Sequence, residues 1–176
     1  MRERKVIVLD YLPNGYPGMR KIEPIVQSIG FSHFTLLELS TGNDIKPGDT
    51  LSLEDPEKVT GIRRKLTEKE LTNYAKGQLE KVIAGIVKER EPEFVTFFNK
   101  ATRLSIRTHQ LELLPGIGKK HIQIILRERK TPFNSFEDIK KRTGMTVEIE
   151  KLIAKRIADE LAGDEKTFLF IPKRMP

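Results

Sequence analysis

The feature that most constrains the fold is a turn at residues 113–120, which read LLPGIGKK. Two apolar residues end one predicted helix, Pro115 and two glycines reverse the chain, and two lysines begin the next helix. The first amides of that helix have no acceptor within it, and the positive end of the helix dipole lies beside them. Because glycines let an oxyanion approach the backbone closely, this turn is typical of a phosphate-binding site.

The excess positive charge of the chain is concentrated around this turn. The formal net charge is +7 over 176 residues. The window from Lys100 to Arg142 alone holds eleven Lys and Arg against four Asp and Glu, so it carries the whole excess. This distribution favours a polyanionic partner such as nucleic acid.

Other residue types narrow the chemistry further. The chain has no cysteine, which excludes disulfides and cysteine-ligated metal centres. Its three histidines, His33, His109 and His121, are far apart in sequence, so we expect no metal site and no cofactor. Because no apolar run approaches the ~20 residues of a membrane span, we expect a cytoplasmic protein that does not bind membranes.

The first part of the chain has the pattern of a small β-barrel. Short β-branched and apolar runs at residues 5–12, 34–39, 50–53 and 59–66 are separated by turns rich in Gly, Pro, Asn and Asp. Residues 24–29 are predicted to form a single helical turn. Four antiparallel strands fall one short of an oligonucleotide-binding (OB) barrel, so we predict that the apolar residues 167–171 return as the fifth. Residues 1–66 are thus predicted as the barrel and residues 164–176 as a C-terminal strand and tail.

Helical patterns begin where the barrel pattern ends. Thr67 and Glu70 fit a capping box, and apolar residues then recur at helical spacing as far as Val87. Pro92 suits the first turn of a second helix. We predict that residues 67–104 connect the barrel to a separate basic domain.

The basic domain, predicted at residues 105–163, consists of two similar halves. In the first, the spacing Leu111-x-x-Leu114-x-Gly116-Ile117-Gly118 is similar to the helix-hairpin-helix motif of DNA- and RNA-binding proteins, although Ile122 stands where alanine is common. In the second, the turn at residues 144–146 reads GMT and lacks the second glycine. The predicted fold class is therefore α+β, an OB-like barrel followed by a tandem helix-hairpin-helix domain. The predicted nucleic-acid-binding residues are Gly116, Ile117, Gly118, Lys119 and Lys120 in the first half and Lys140, Lys141 and Arg142 in the second.

A whole-chain resemblance adds to this interpretation. Residues 108–120 and 132–139, together with 10–13, 34–39 and 168–170, resemble an uncharacterised archaeal family catalogued as domain of unknown function 655. The resemblance implies an OB-like barrel joined to a helix-hairpin-helix module and a nucleic-acid-binding role. It implies no established reaction.

These observations lead to one preferred function and two alternatives. We expect a non-catalytic protein that grips RNA or DNA backbones largely without regard to sequence, with structured RNA slightly favoured. The first alternative is a scaffold that uses the same module to bind a protein partner. The remote alternative is a DNA glycosylase in which Lys120 attacks the sugar and Asp138 assists, but Asp138 already has a local explanation as part of a helix cap.

Overall fold

The computed structural model describes residues 2–172, which form two compact units in an α+β fold. One unit contains the residues up to Val82 together with those from Leu161 on, and the other spans Ile83–Glu160. The first unit contains the whole β-sheet, and the second is helical.

The first unit is built on a single curled antiparallel sheet of five strands, in the order β4-β1-β2-β3-β5. Irregular registers between β1 and β2 and between β3 and β5 mark β-bulges, which increase local twist and bend the sheet. Val6, Val8 and Val26 are fully buried in its core. The strands are β1 (Lys5–Leu12), β2 (Ile25–Gly30), β3 (Leu36–Thr41), β4 (Thr50–Ser52) and β5 (Val59–Lys65).

Four of these strands confirm the sequence prediction to within two residues, but β2 does not. The predicted helical turn at residues 24–29 is wrong, because Ile25–Gly30 is a strand at the centre of the sheet with all six residues buried. Two polar residues in the run conceal this strand from a hydrophobicity pattern. Both are satisfied: the Ser28 hydroxyl donates to the Leu37 carbonyl (3.1 Å), and Gln27 accepts from the amide of Thr72 (2.8 Å).

The prediction that residues 167–171 supply the fifth strand is also wrong. Those residues follow a bent, partly buried path without strand structure, and every strand of the described chain lies between Lys5 and Lys65. Since β2 completes the five strands, the tail is not needed in the sheet. The last part of the predicted tail, residues 173–176, lies outside the described residues.

Five α-helices follow the sheet: α1 (Asn73–Glu89), α2 (Glu91–Lys100), α3 (Lys119–Glu128), α4 (Phe136–Thr143) and α5 (Ile149–Ala162). The predicted capping box between Thr67 and Glu70 is present, but it begins a short 3-10 helix, Glu68–Glu70. The long helix α1 starts afterwards, with the Thr72 hydroxyl accepting a hydrogen bond from the amide of Ala75 (3.1 Å).

The second unit is held together by the apolar faces that the helical spacing predicts. Their residues are buried, and they include Phe94, Phe98, Ile122, Ile125, Phe133, Phe136, Ile139, Ile149, Leu152, Ile153 and Ile157. Gly163, with φ +89°, ends α5 in the left-handed conformation typical of a helix stop. None of the helices in residues 2–172 has the length and apolar character to cross a membrane.

Candidate functional site

The turn before α3 has a conformation that requires glycine at its first position. Gly116 has φ +86°, and a Cβ atom there would also lie 3.3 Å from Cδ2 of Leu152. Leu114 and Ile117 are buried on either side, and the Ile117 amide donates to the Leu114 carbonyl (3.3 Å). The segment before the turn, predicted as a short α-helix, is instead a 3-10 helix at Gln110–Leu113.

The second glycine of the turn is not required by the fold. Gly118 has φ −90° and ψ 171°, which any residue adopts, and a Cβ added to it would meet no atom within 4 Å. It is the N-cap of α3 but has no side chain with which to cap it. The first bond of the helix joins the Ile122 amide to the Gly118 carbonyl (3.1 Å), so the three preceding amides, those of residues 119–121, have no acceptor within the helix. Open space therefore lies beside a group of backbone donors.

The positive charges of two lysines lie beside these amides. Lys119 and Lys120 are exposed on the first turn of α3, and neither ammonium group forms a hydrogen bond or an ion pair with any of residues 2–172. No acidic residue occupies this first turn. The dipole of α3, its free amides and both ammonium groups thus favour an anion beside Gly118.

Helix α5 contacts the turn and the 3-10 helix before it. Leu152 packs against Gly116, and one turn later the Arg156 guanidinium donates to the Leu113 carbonyl (Nη1–O 3.4 Å). Arg156 also forms a buried ion pair with Glu160 (3.0 Å). These contacts fix the 3-10 helix and the turn on a rigid helix.

His109 caps the 3-10 helix, a role that sequence reasoning missed. Its Nδ1 accepts a hydrogen bond from the Leu111 amide (3.1 Å), which requires that nitrogen to be unprotonated. Burial of the ring, with a smaller contribution from the Arg129 charge, lowers the pKa of His109 below its ordinary value. The ring is therefore neutral near pH 7. A histidine directly before a predicted helix was the available signal, since the N-cap position favours a side-chain acceptor.

The second turn differs from the first where an anion would bind. Gly144 (φ +72°) and the buried Met145 correspond to Gly116 and Ile117. However, α5 begins only at Ile149, and Glu148 immediately precedes it. Lys140 donates to Glu148 (Nζ–Oε1 2.8 Å), and this hydrogen bond lowers the pKa of Glu148. An ionised carboxylate at the start of α5 opposes the binding of another anion there.

Arg142 is committed to intramolecular contacts. Its guanidinium donates to the carbonyls of Glu128 and Thr131 (2.7 Å to Thr131), pairs with Asp138 (3.1 Å) and lies 4.5 Å from the centroid of the Phe133 ring. It thus joins the end of α3 to α4. Among the predicted residues of the second half, only the exposed Lys141 has a side chain that forms no hydrogen bond or ion pair with the rest of residues 2–172.

Asp138 performs the structural role that its position predicts. The Ser135 hydroxyl accepts from the Asp138 amide (3.0 Å) and caps α4. The Asp138 carboxylate accepts from the Asn134 amide (3.0 Å) and from Arg142, and the first of these bonds is the largest cause of its lowered pKa. Within residues 2–172 no three His, Asp or Glu side chains come together as metal ligands.

The chain is similar to known proteins over nearly its whole length. A family model described as "Protein of unknown function (DUF655)" matches residues 2–172. An uncharacterised protein of Methanocaldococcus jannaschii, MJ0038, is 40% identical over an alignment of 171 residues, and the alignment covers 93% of this chain and 77% of that protein. The crystal structure of Af1531 from Archaeoglobus fulgidus has a TM-score of 0.86 and 40% identity, covering 97% of this chain and all of that one.

Proposed function

The chain belongs to the DUF655 family of proteins of unknown function, and we propose that its helical unit binds the phosphate backbone of nucleic acids without catalysing a reaction. The observation that carries the proposal is the environment of Gly118. Neither backbone conformation nor packing requires a glycine at this position, yet a side chain here would fill the space beside the unpaired amides. A phosphate oxygen is the group that uses both the space and the amides.

In this proposal the turn acts as the first hairpin of a helix-hairpin-helix module. The amides at the start of α3 hold one phosphate, while Lys119 and Lys120 neutralise it and its neighbour. Because these contacts involve only the backbone of the nucleic acid, binding is largely independent of sequence. Lys141 supplies a further charge, whereas Lys140 and Arg142 mainly stabilise the protein.

The sheet of the first unit supports the same class of function. A partly open five-stranded antiparallel barrel is the general form of an OB fold, whose concave face binds single strands. We propose that this unit accepts a single strand, which favours structured RNA slightly over duplex DNA. The protein would then act in the cytoplasm as a binder that needs no cofactor.

The test is a binding titration at several salt concentrations. Fluorescently labelled duplex DNA, single-stranded DNA and a structured RNA are each titrated with the protein, and log affinity is plotted against log salt concentration. The double variant Lys119→Ala/Lys120→Ala should lower the slope by roughly 1.4–1.8, because each lost phosphate contact removes about 0.7–0.9. The variant Lys81→Ala, which removes an exposed lysine of α1 that belongs to neither the turn nor the sheet, should leave the slope nearly unchanged.

Two outcomes would contradict the proposal. The first is a wild-type protein that binds none of the three nucleic acids at low salt. The second is a double variant that keeps the full slope, which would place the contact elsewhere. If the protein instead co-purifies with a protein partner and that complex survives Gly118→Glu, the scaffold alternative replaces it.

A further inference from the structure

An exposed apolar tip lies in the loop at residues 102–108, here called the Ile106 loop. Ile106 is 91% exposed, more than any other large apolar residue in the described part of the chain, and Leu104 beside it is 43% exposed. A single exposed apolar residue is ordinary, but an isoleucine with almost its whole side chain in solvent and with cations on both sides is less common.

The loop is held in one conformation by its own hydrogen bonds. At its base Arg103 pairs with His109 as an isolated β-bridge, and the Gln110 amide donates to the Thr102 carbonyl (2.9 Å). Nearer the tip, the Ser105 hydroxyl accepts from the amides of Arg107 (3.2 Å) and Thr108 (3.1 Å). The backbone therefore holds Ile106 in solvent, and little conformational entropy remains to be lost when it makes contact.

Cations surround this tip. Arg103 and Arg107 flank it in sequence, and Arg107 forms no side-chain hydrogen bond or ion pair with other residues of the range 2–172. The Arg129 guanidinium donates to the Ala101 carbonyl (2.7 Å), which brings the end of α3, with Lys130, to the base of the loop. Glu112 is the acidic residue whose charge acts on His109 at this base. Nucleic acid carries its phosphates on the outside and its stacked bases on the inside, so it can contact both the cations and the apolar tip.

We propose that Ile106 is a wedge that packs against the bases of the nucleic acid whose backbone is held at Gly118. The inference rests on the proposed function and adds a second contact to it. Helix α3 has ten residues and is therefore about 15 Å long. This length corresponds to about four base pairs of duplex. It lies between the turn at the start of α3 and Arg129 at its end, whose contact with Ala101 marks the base of the Ile106 loop. Apolar side chains inserted at a base step, with arginines on the adjacent phosphates, unstack that step.

The experiment measures base stacking separately from affinity. Duplex DNAs and RNA stems carry 2-aminopurine at one internal position each, and its fluorescence, which rises on unstacking, is read at saturating protein. The wild-type protein should raise the fluorescence in at least one position, and Ile106→Ser should abolish the rise. Anisotropy of an end-labelled duplex should show that Ile106→Ser still binds, about tenfold more weakly, because the apolar surface that Ile106 buries is lost while the phosphate contacts remain.

Two matched variants make the result specific. Val147→Ser removes another exposed apolar side chain of the helical unit, and it should leave both signals unchanged. Ile106→Lys adds a positive charge at the tip, so a purely electrostatic surface would bind more tightly, whereas a wedge would lose the fluorescence rise. Thermal melting should be unchanged for all three variants, because the substituted side chains are exposed.

The inference is overturned if the wild-type protein binds but unstacks no labelled position, or if Ile106→Ser unstacks bases as well as the wild type does. In both cases binding that is sensitive to Gly118→Glu would leave the proposed function intact. If the loop instead binds a protein partner, one of these two results is expected. If the wild-type protein binds no nucleic acid, the proposed function fails first and the wedge fails with it.

Discussion

Replacing Gly118 by aspartate should separate the stability of the fold from its binding function. The position is the N-cap of α3, its φ and ψ fit a capping residue, and a Cβ meets nothing within 4 Å. Aspartate is among the preferred N-cap residues because its carboxylate accepts from the first amides of the helix. Gly118→Asp therefore fills, with a covalent anion, the position that the proposal assigns to a phosphate.

The expected change in stability is small and positive. Replacing a glycine N-cap by aspartate contributes a few tenths of a kcal/mol through the cap, and a negative charge at a helix N-terminus contributes roughly 0.3–1 kcal/mol. The sum is about 1 kcal/mol, which corresponds to an increase in melting temperature of about 2–4 °C for a protein of this size.

The expected change in binding is large and negative. A carboxylate about 4 Å from a phosphate is repelled by ~4 kcal/mol at an effective dielectric constant of 20. The bound nucleic acid can shift to reduce this repulsion, so we expect the affinity to fall at least tenfold, which is about 1.4 kcal/mol. Stability and affinity should thus change in opposite directions.

The measurement combines thermal unfolding with a titration of labelled duplex and structured RNA at low salt. Gly118→Asn is the matched control, since asparagine caps equally well but adds no charge, and it should bind more tightly than Gly118→Asp. Thr146→Asp places the same charge in the second turn, where Glu148 already opposes an anion, and it should leave affinity within about twofold of the wild type, a change of less than ~0.5 kcal/mol. A Gly118→Asp variant that is stabilised yet binds like the wild type would refute the assignment of this turn as the phosphate site.

Two further predictions concern the residues that hold the turn and α4 in place. Since the pKa of His109 is lowered by burial, its cap of the 3-10 helix contributes fully above the unfolded pKa of about 6.5 and is lost as the pH falls towards the lower folded pKa. Stability should therefore decrease from pH 7.5 to pH 5.5, and His109→Asn, a cap that does not titrate, should flatten the curve measured by chemical denaturation. Arg142→Lys should cost about 2 kcal/mol of stability, because an ammonium cannot replace the planar contacts to two carbonyls, Asp138 and the Phe133 ring, whereas Lys141→Met should change stability by less than about 0.5 kcal/mol. If Arg142→Lys left the denaturation midpoint unchanged but weakened binding, Arg142 would be a phosphate ligand after all.

The elements that sequence reasoning located correctly are those with local signals. Helix α3 begins at the predicted lysines, because glycines precede it and its apolar residues recur at helical spacing. Asp138 takes part in the cap of α4 as predicted, since the hydrogen bond from its amide to the Ser135 hydroxyl joins residues three apart in sequence. Such contacts depend on neighbours along the chain, which a sequence displays directly.

The errors concern residues whose contacts are distant in sequence. Gln27 accepts from Thr72, 45 residues away, and donates to Tyr16, so its polarity is satisfied in the middle of β2. No local pattern reveals that compensation. The sequence pattern places residues 167–171 in the sheet only because it shows four strands, and it shows four because β2 has the pattern of a helical turn.

By itself the sequence determined the position of the candidate site, because a glycine turn between helices and a local excess of charge are properties of neighbouring residues. Only the tertiary structure decided which cations remain available. Lys140, Lys141 and Arg142 are consecutive, but successive residues of a helix project about 100° apart. Lys140 therefore reaches Glu148 and Arg142 reaches the end of α3, while Lys141 faces solvent. Residue type does not distinguish the cations that stabilise the fold from those that are free to bind a phosphate. The packing of α4 against its neighbours does.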